Sequence, residues 1–180
     1  MHDLKKNVEI ASNYIKKCGI EVAPNINYKV SPLTSAWGYC HKKTTQNNSQ
    51  SKISYTIEIN RVLLDERVPK ISLQQTIIHE LLHTCENSMK HTGIWKHNAK
   101  KINQEGIYEI TTSNTSESLK IPKEIMVEES KNYPYNYQCT CCGYVWHYKR
   151  RPSWDSKLNL TENGKYLIHC PDCKAQLKKI

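Results

Sequence analysis

The chain has 180 residues but no phenylalanine, no run of eighteen apolar residues and no internal repeat. The missing apolar run excludes a membrane-spanning helix, which needs about twenty such residues to cross the hydrocarbon. The missing Phe, beside abundant Lys, Asn and Ile, reflects the bias of an AT-rich genome and carries no chemistry. The opening stretch MHDLKKNVEIASNYIKKCG also lacks the uninterrupted apolar core of a signal peptide. A soluble, cytoplasmic protein with no membrane partner is therefore expected. In that reducing compartment the eight cysteines read better as metal ligands than as disulfides. The length suits one domain with a sizeable core plus a satellite too small to build a core alone.

Leu4, Val8, Ala11, Ile15 and Cys18 recur at helical intervals and Gly19 closes the pattern, so 3–18 reads as an amphipathic helix covering a sheet. NINYKVS and SAWGYC are short strand candidates. ISYTIEIN, residues 53–60, alternates with period two and is the clearest strand, with an edge on which an extended peptide can lie. The polar stretch 41–52 between the last two strands is expected as an exposed hairpin loop. Ser72 with Gln75 has capping-box spacing, which predicts a helix over 73–86; a second helix over 92–105 stops at Gly106. IYEITTSN follows as a strand or extended exit, and the polar stretch after it marks a boundary. The expected fold is α+β: a small zincin-like domain over 1–115, with helices on a short antiparallel sheet, a linker over 116–132 and a four-cysteine zinc ribbon over 133–180.

The helical segment TIIHELLHTC holds His79, Glu80 and His83. Four-residue spacing stacks the two imidazoles on one helix face, where they suit a zinc ion, and the adjacent Glu80 suits a general base acting on water. A catalytic zinc takes a third protein ligand and keeps a position open. His91, just past the expected turn, is the candidate. His97 lies two turns into the next helix and Glu86 less than a turn past His83, and both are expected on the surface.

Cys139 with Cys142 and Cys170 with Cys173 form two C-x-x-C pairs with 27 residues between them. Each pair can aim two thiolates at one tetrahedral zinc, with Gly143 permitting the tight knuckle. Four thiolates leave no open position, so this zinc is structural and replaces the core that so short a segment lacks. Cys141 is a spare thiol, and Cys18, Cys40 and Cys85 are expected as small buried hydrophobes. Residues 139–180 carry eight Lys/Arg against three Asp/Glu, whereas 1–138 carry eighteen against fourteen. Tyr144, Trp146, Tyr148, Trp154 and Tyr166 interleave with Lys149, Arg150 and Arg151 in the ribbon. Two readings stay open: the aromatics offer stacking faces to single-stranded or damaged DNA while the cations meet phosphates, or they pack on the ribbon's own small sheet.

IIHELLHTC followed by HTGIWKHNAKKIN resembles the SprT family of zinc metallopeptidases, whose pattern is His-Glu-x-x-His and then His-Gly-x-x-Trp/Phe. His91 and Trp95 stand at the matching separation, while Thr92 occupies the usual glycine place and Gly93 follows it. The resemblance extends from about residue 5, through a preceding hairpin like SAWGYC with ISYTIEIN, to a C-terminal ribbon that many relatives carry. It implies a zinc-dependent endopeptidase in which His79, His83 and His91 hold a catalytic zinc and Glu80 is the base. Some relatives act on proteins crosslinked to DNA, which implies protein substrates and a DNA partner here. The principal rival is a nucleic-acid-binding zinc-ribbon protein whose three-histidine site is not catalytic; a metal hydrolase of non-peptide substrates is a third reading. Glu80 separates the first two, since a structural site needs no base beside it.

Overall fold

Period-two alternation over residues 53–60 does set the middle of a sheet, but as part of a longer strand. In the computed structural model the elements run, in chain order, α1 (Leu4–Lys17), β1 (Ile26–Ser31), β2 (Gly38–Asn47), β3 (Gln50–Asn60), α2 (Lys70–Leu82), α3 (Ile94–Gln104), α4 (Lys123–Ser130), β4 (Tyr135–Cys139), β5 (Val145–Tyr148), β6 (Thr161–Glu162), β7 (Lys165–Tyr166) and β8 (Leu177–Lys179). The structure describes the chain apart from residues 34–35, 48–49, 131 and 163–164 and the side chains of 47, 50, 130, 165 and 166, so Ser35 of SAWGYC and the Tyr166 ring lie outside the described residues. The chain divides into two compact units, Met1–Pro122 and Lys123–Ile180. The class is α+β, as expected.

The first unit's sheet has the order β1-β3-β2, with β1 parallel and β2 antiparallel to β3. Two expectations are corrected. The sheet is mixed rather than antiparallel, and ISYTIEIN lies in its central strand, with residues 55–60 paired on both sides, so the outer strands are β1 and β2. The expected loop 41–52 is mostly ladder: β2 and β3 pair from Gly38 opposite Ile59 to Asn47 opposite Gln50, because polar residues suit strands whose faces both meet water. On β3 alternation separates two environments. Ile57 and Ile59 are fully buried, while Glu58 between them forms ion pairs with Lys29 of β1 and His41 of β2.

Helix α1 starts on the Asp3 cap, whose carboxylate accepts from Lys6 N–H at 3.0 Å, and packs against α2 rather than chiefly on the sheet. Helix α2 begins at Lys70, not after Ser72. Pro69 precedes it with φ −58°, already set for helix entry and with no N–H to satisfy, and the Ser72 hydroxyl instead donates to Leu119 O at 2.6 Å. The helix also ends four residues short of Glu86: the N–H groups of His83, Thr84 and Cys85 bond three residues back, closing the last turn with His83 as its cap. Leu73, Ile77, Ile78, Leu81 and Leu82 of α2 are fully buried. Helix α3 starts at Ile94, two residues later than expected, after Gly93 at φ 48°. The exit 107–114 holds no strand, though Tyr108 and Ile110 are buried. Within the stretch expected as a linker, Leu119 and Ile121 are buried and Lys123–Ser130 is helical.

In the second unit β4 lies between β5 and β8, and β6 pairs with β7. Tyr137, Cys139, Leu158, Cys170 and Leu177 form its small core, with Trp146, Tyr148 and Trp154 packed against it.

One buried polar residue governs how β2 begins. Asn60, 6% exposed at the end of β3, donates from Nδ2 to Leu33 O at 3.0 Å and to Ala36 O at 3.1 Å. Its own N–H donates to Trp37 O at 2.9 Å, and its Oδ1 accepts from Val62 N–H at 3.1 Å. Truncation strips partners from three backbone groups at once, so Asn60→Ala is expected to cost about 1–3 kcal/mol. Urea unfolding checks this against Asn27→Ala, an exposed asparagine whose loss is expected to stay within about 0.5 kcal/mol.

Candidate metal centre

His79 sits in the last turn of α2 and His83 caps it, so the four-residue spacing stacks their rings. Each ring is fixed from behind by a carbonyl. His79 Nδ1 lies 2.9 Å from Thr111 O, and His83 Nδ1 lies 3.0 Å from Ser88 O. A carbonyl only accepts, so each Nδ1 carries the proton and each Nε2 is left as a lone pair. The segment between α2 and α3 brings His91 to meet them, its Nε2 2.9 Å from that of His79 and 3.0 Å from that of His83. Three nitrogens thus converge with at most one proton among them, on His91, and that proton cannot satisfy both neighbours. A cation bound by all three resolves the repulsion. Neutral imidazoles oriented by carbonyls are the donor set of zinc-type sites, so the residues present fit such an ion.

Burial lowers the basicity of all three. Desolvation takes His79 down to about 3, with His83 and His91 adding to the effect, and it also depresses His83 and His91. The rings are therefore neutral and able to coordinate near pH 7. Trp95, 1% exposed, stands against all three, with centroid distances of 4.9 Å to His79, 5.7 Å to His83 and 4.5 Å to His91. The sequence matched Trp95 to a pattern without showing that it walls the site.

Glu80 is 6% exposed, and desolvation raises its carboxyl to about 8. It lines a cleft of about 270 Å³ with Gly38, Tyr39, Cys40, His79, His83, Met89 and His91. The site is therefore bordered by the start of β2, a free edge of the sheet. Cys40 is inert there: burial, then the Glu80 charge, push its thiol up to about 12. Gly38, Tyr39 and Met89 line the cleft but belong to no metal-ligand motif of the sequence. A glycine beside a strand was the one available signal, since it marks a close backbone approach. His97 and Glu86 are exposed and lie outside the histidine cluster.

In the second unit Cys139, Cys142, Cys170 and Cys173 bring their Sγ atoms within 4.8 Å of one another. Cys139 Sγ accepts the N–H groups of Cys141 and Cys142, both at 3.4 Å. Burial pushes the Cys139 thiol up, but these N–H bonds together with hydrogen bonds from the Cys173 and Cys142 thiols bring it down to about 6. The two knuckles match in backbone: Gly143 at φ 74° and Lys174 at φ 60° each follow the second cysteine, and their N–H groups donate to Cys139 O at 3.2 Å and Cys170 O at 3.0 Å. Cys141 is exposed and outside the cluster. This donor set also fits zinc, as a closed site.

Of the ribbon residues expected to meet nucleic acid, Lys149, Arg150 and Arg151 are exposed and Trp146 is half-buried. Trp146, Tyr148 and Trp154 pack on the ribbon core, and Arg151 Nε holds Asp155 Oδ2 at 2.5 Å. Lys149 lies over the Tyr133 ring at 5.7 Å, and Arg150 is exposed.

The model of the SprT-like family matches residues 8–116, which takes in the sheet, α2, α3 and all three histidines. No curated protein and no solved structure matches the chain.

His91→Ala is expected to remove one equivalent of bound cation from the full chain, His97→Ala to remove none, and Cys142→Ser to remove the other equivalent. Metal analysis of the purified variants distinguishes these outcomes.

Proposed function

The chain belongs to the SprT-like family, and on that premise we propose that it is a zinc-dependent endopeptidase whose ligands are His79, His83 and His91 and whose general base is Glu80. Membership itself gives a metal-dependent, protease-like domain. The observation that carries the finer reading is a nearly buried carboxylate in the same cleft as three converging Nε2 lone pairs. A zinc ion held there supplies Lewis acidity, lowering the pKa of water and polarising a carbonyl. Burial alone raises the Glu80 carboxyl, but a cation held by the neighbouring histidines favours its ionised form, and that carboxylate would take the proton of the attacking water and return it to the departing amine. The main chain of β2, a free edge beside the cleft, pairs with an extended substrate, which binds protein with little sequence preference. Cys139, Cys142, Cys170 and Cys173 hold a second, structural zinc in a ribbon that follows the peptidase domain.

The reading includes a cytoplasmic setting, where thiolates stay reduced. No described helix is long and apolar enough to cross a membrane. It also includes single-stranded DNA as a partner of the ribbon, supported by the net positive charge of 139–180 and by the exposure of Tyr144 and Arg150.

Glu80→Gln keeps shape and zinc but removes the base, so cleavage of an unfolded protein is expected to fall about a hundredfold or more at unchanged metal content. Cleavage that survives the substitution defeats the assignment. For the ribbon, Arg150→Gln is expected to weaken single-stranded DNA binding and flatten its salt dependence by about one unit of slope at most, read by titration at several ionic strengths. Arg151→Gln is expected to act on the ribbon's stability as well, since Asp155, which also accepts from Tyr137 OH and faces Lys179, loses one of its partners.

A further inference from the structure

We infer that Gly38 is a positioning residue for the proposed reaction: its bare Cα is the seat against which the Glu80 carboxylate is held, an inference that rests on reading Glu80 as the base. A Cβ at this position would lie 2.7 Å from Glu80 Cγ, 2.7 Å from Glu80 Oε1 and 2.9 Å from Thr76 Cγ2. Carbon atoms in packed interiors stay about 3.5–4.0 Å apart, so no side chain fits unless something moves. The glycine answers space and not backbone conformation, because Gly38 is not among the glycines with positive φ.

What would move is decided by what is fixed. Thr76 and Glu80 occupy successive turns of α2 on one face. Thr76 is 1% exposed, with its hydroxyl donating to Ser72 O at 2.9 Å. The strand cannot retreat either, since Gly38 is laddered opposite the fully buried Ile59 and the preceding backbone is held at Leu33, Ala36 and Trp37 by Asn60. The remaining freedom is in the Glu80 side chain, whose rotamer Gly38 therefore selects. Displacing that carboxylate leaves the rings of His79 and His83 on their carbonyls and leaves the β2 edge in place. Gly38 thus sets the rate of proton transfer rather than the binding of metal or substrate.

The test is a cycle of Gly38→Ala, Glu80→Ala and the double variant in the full chain, followed by urea unfolding, with zinc content and cleavage kinetics measured for Gly38→Ala. Gly38→Ala is expected to lower the unfolding midpoint clearly more when Glu80 is present than when it has been truncated. It is also expected to lower kcat about tenfold or more with KM and zinc content nearly unchanged, as a displaced base would. Equal destabilisation in both backgrounds, or wild-type kcat in Gly38→Ala, overturns the inference. Should Gly38→Ala not fold, Thr76→Ser is added to both to remove the second close atom, Cγ2, and recovery of folding only when Glu80 is also truncated supports the contact, while no such difference refutes it. A wild-type chain that cleaves no peptide removes the peptidase reading and with it the positioning role, while the cycle still decides whether Gly38 seats Glu80.

Discussion

Two carbonyl oxygens, those of Thr111 and Ser88, determine what the histidine cluster is. By accepting from the Nδ1 groups of His79 and His83 they leave both Nε2 atoms unprotonated and facing His91. Without those carbonyls the three rings could share protons and form an ordinary buried network. With them, the cluster fits a cation held by all three nitrogens. Much of the first unit serves this arrangement. The tightened end of α2 presents His83, the segment between the helices supplies both Ser88 O and His91, and the extended exit after α3 returns past α2 to place Thr111 O.

The two donor sets solve opposite problems. In the ribbon, four sulfurs gather within 4.8 Å of one another and the backbone adds N–H groups that favour thiolate at Cys139, so an ion held by all four would have no open position. In the first unit three nitrogens occupy one side only, and the other side opens to a cleft bounded by a strand edge. That unit has a large apolar core of its own, which suits the reading of its donor set as one proposed for chemistry.

What the sequence revealed was whatever is local. His79, Glu80 and His83 follow from spacing on one helix, and the paired cysteines from two short turns. The third histidine was legible as a candidate because a single turn separates it from the helix. Features that depend on distant partners were not legible. The period-two pattern of ISYTIEIN gives a strand but not its neighbours, and pairing on both sides turned an expected edge into the centre. Ser72 looks like a cap, yet Pro69 starts the helix earlier and the hydroxyl serves Leu119, far along the chain. The ribbon aromatics read equally as stacking faces or as core, and the packing of Trp146, Tyr148 and Trp154 on the core of Tyr137 and Leu158 is a property of the folded sheet.

Trp95 carries a consequence of its own. Its indole is buried against the three imidazoles, whereas Trp146 and Trp154 belong to the ribbon. Indole fluorescence responds to the charge and polarity of adjoining groups, so ion binding at the histidines changes the emission of one identifiable chromophore. The protein thereby carries an intrinsic optical gauge of the occupancy of its histidine site, readable without labels once the other three tryptophans, Trp37 before β2 and Trp146 and Trp154 of the ribbon, are replaced.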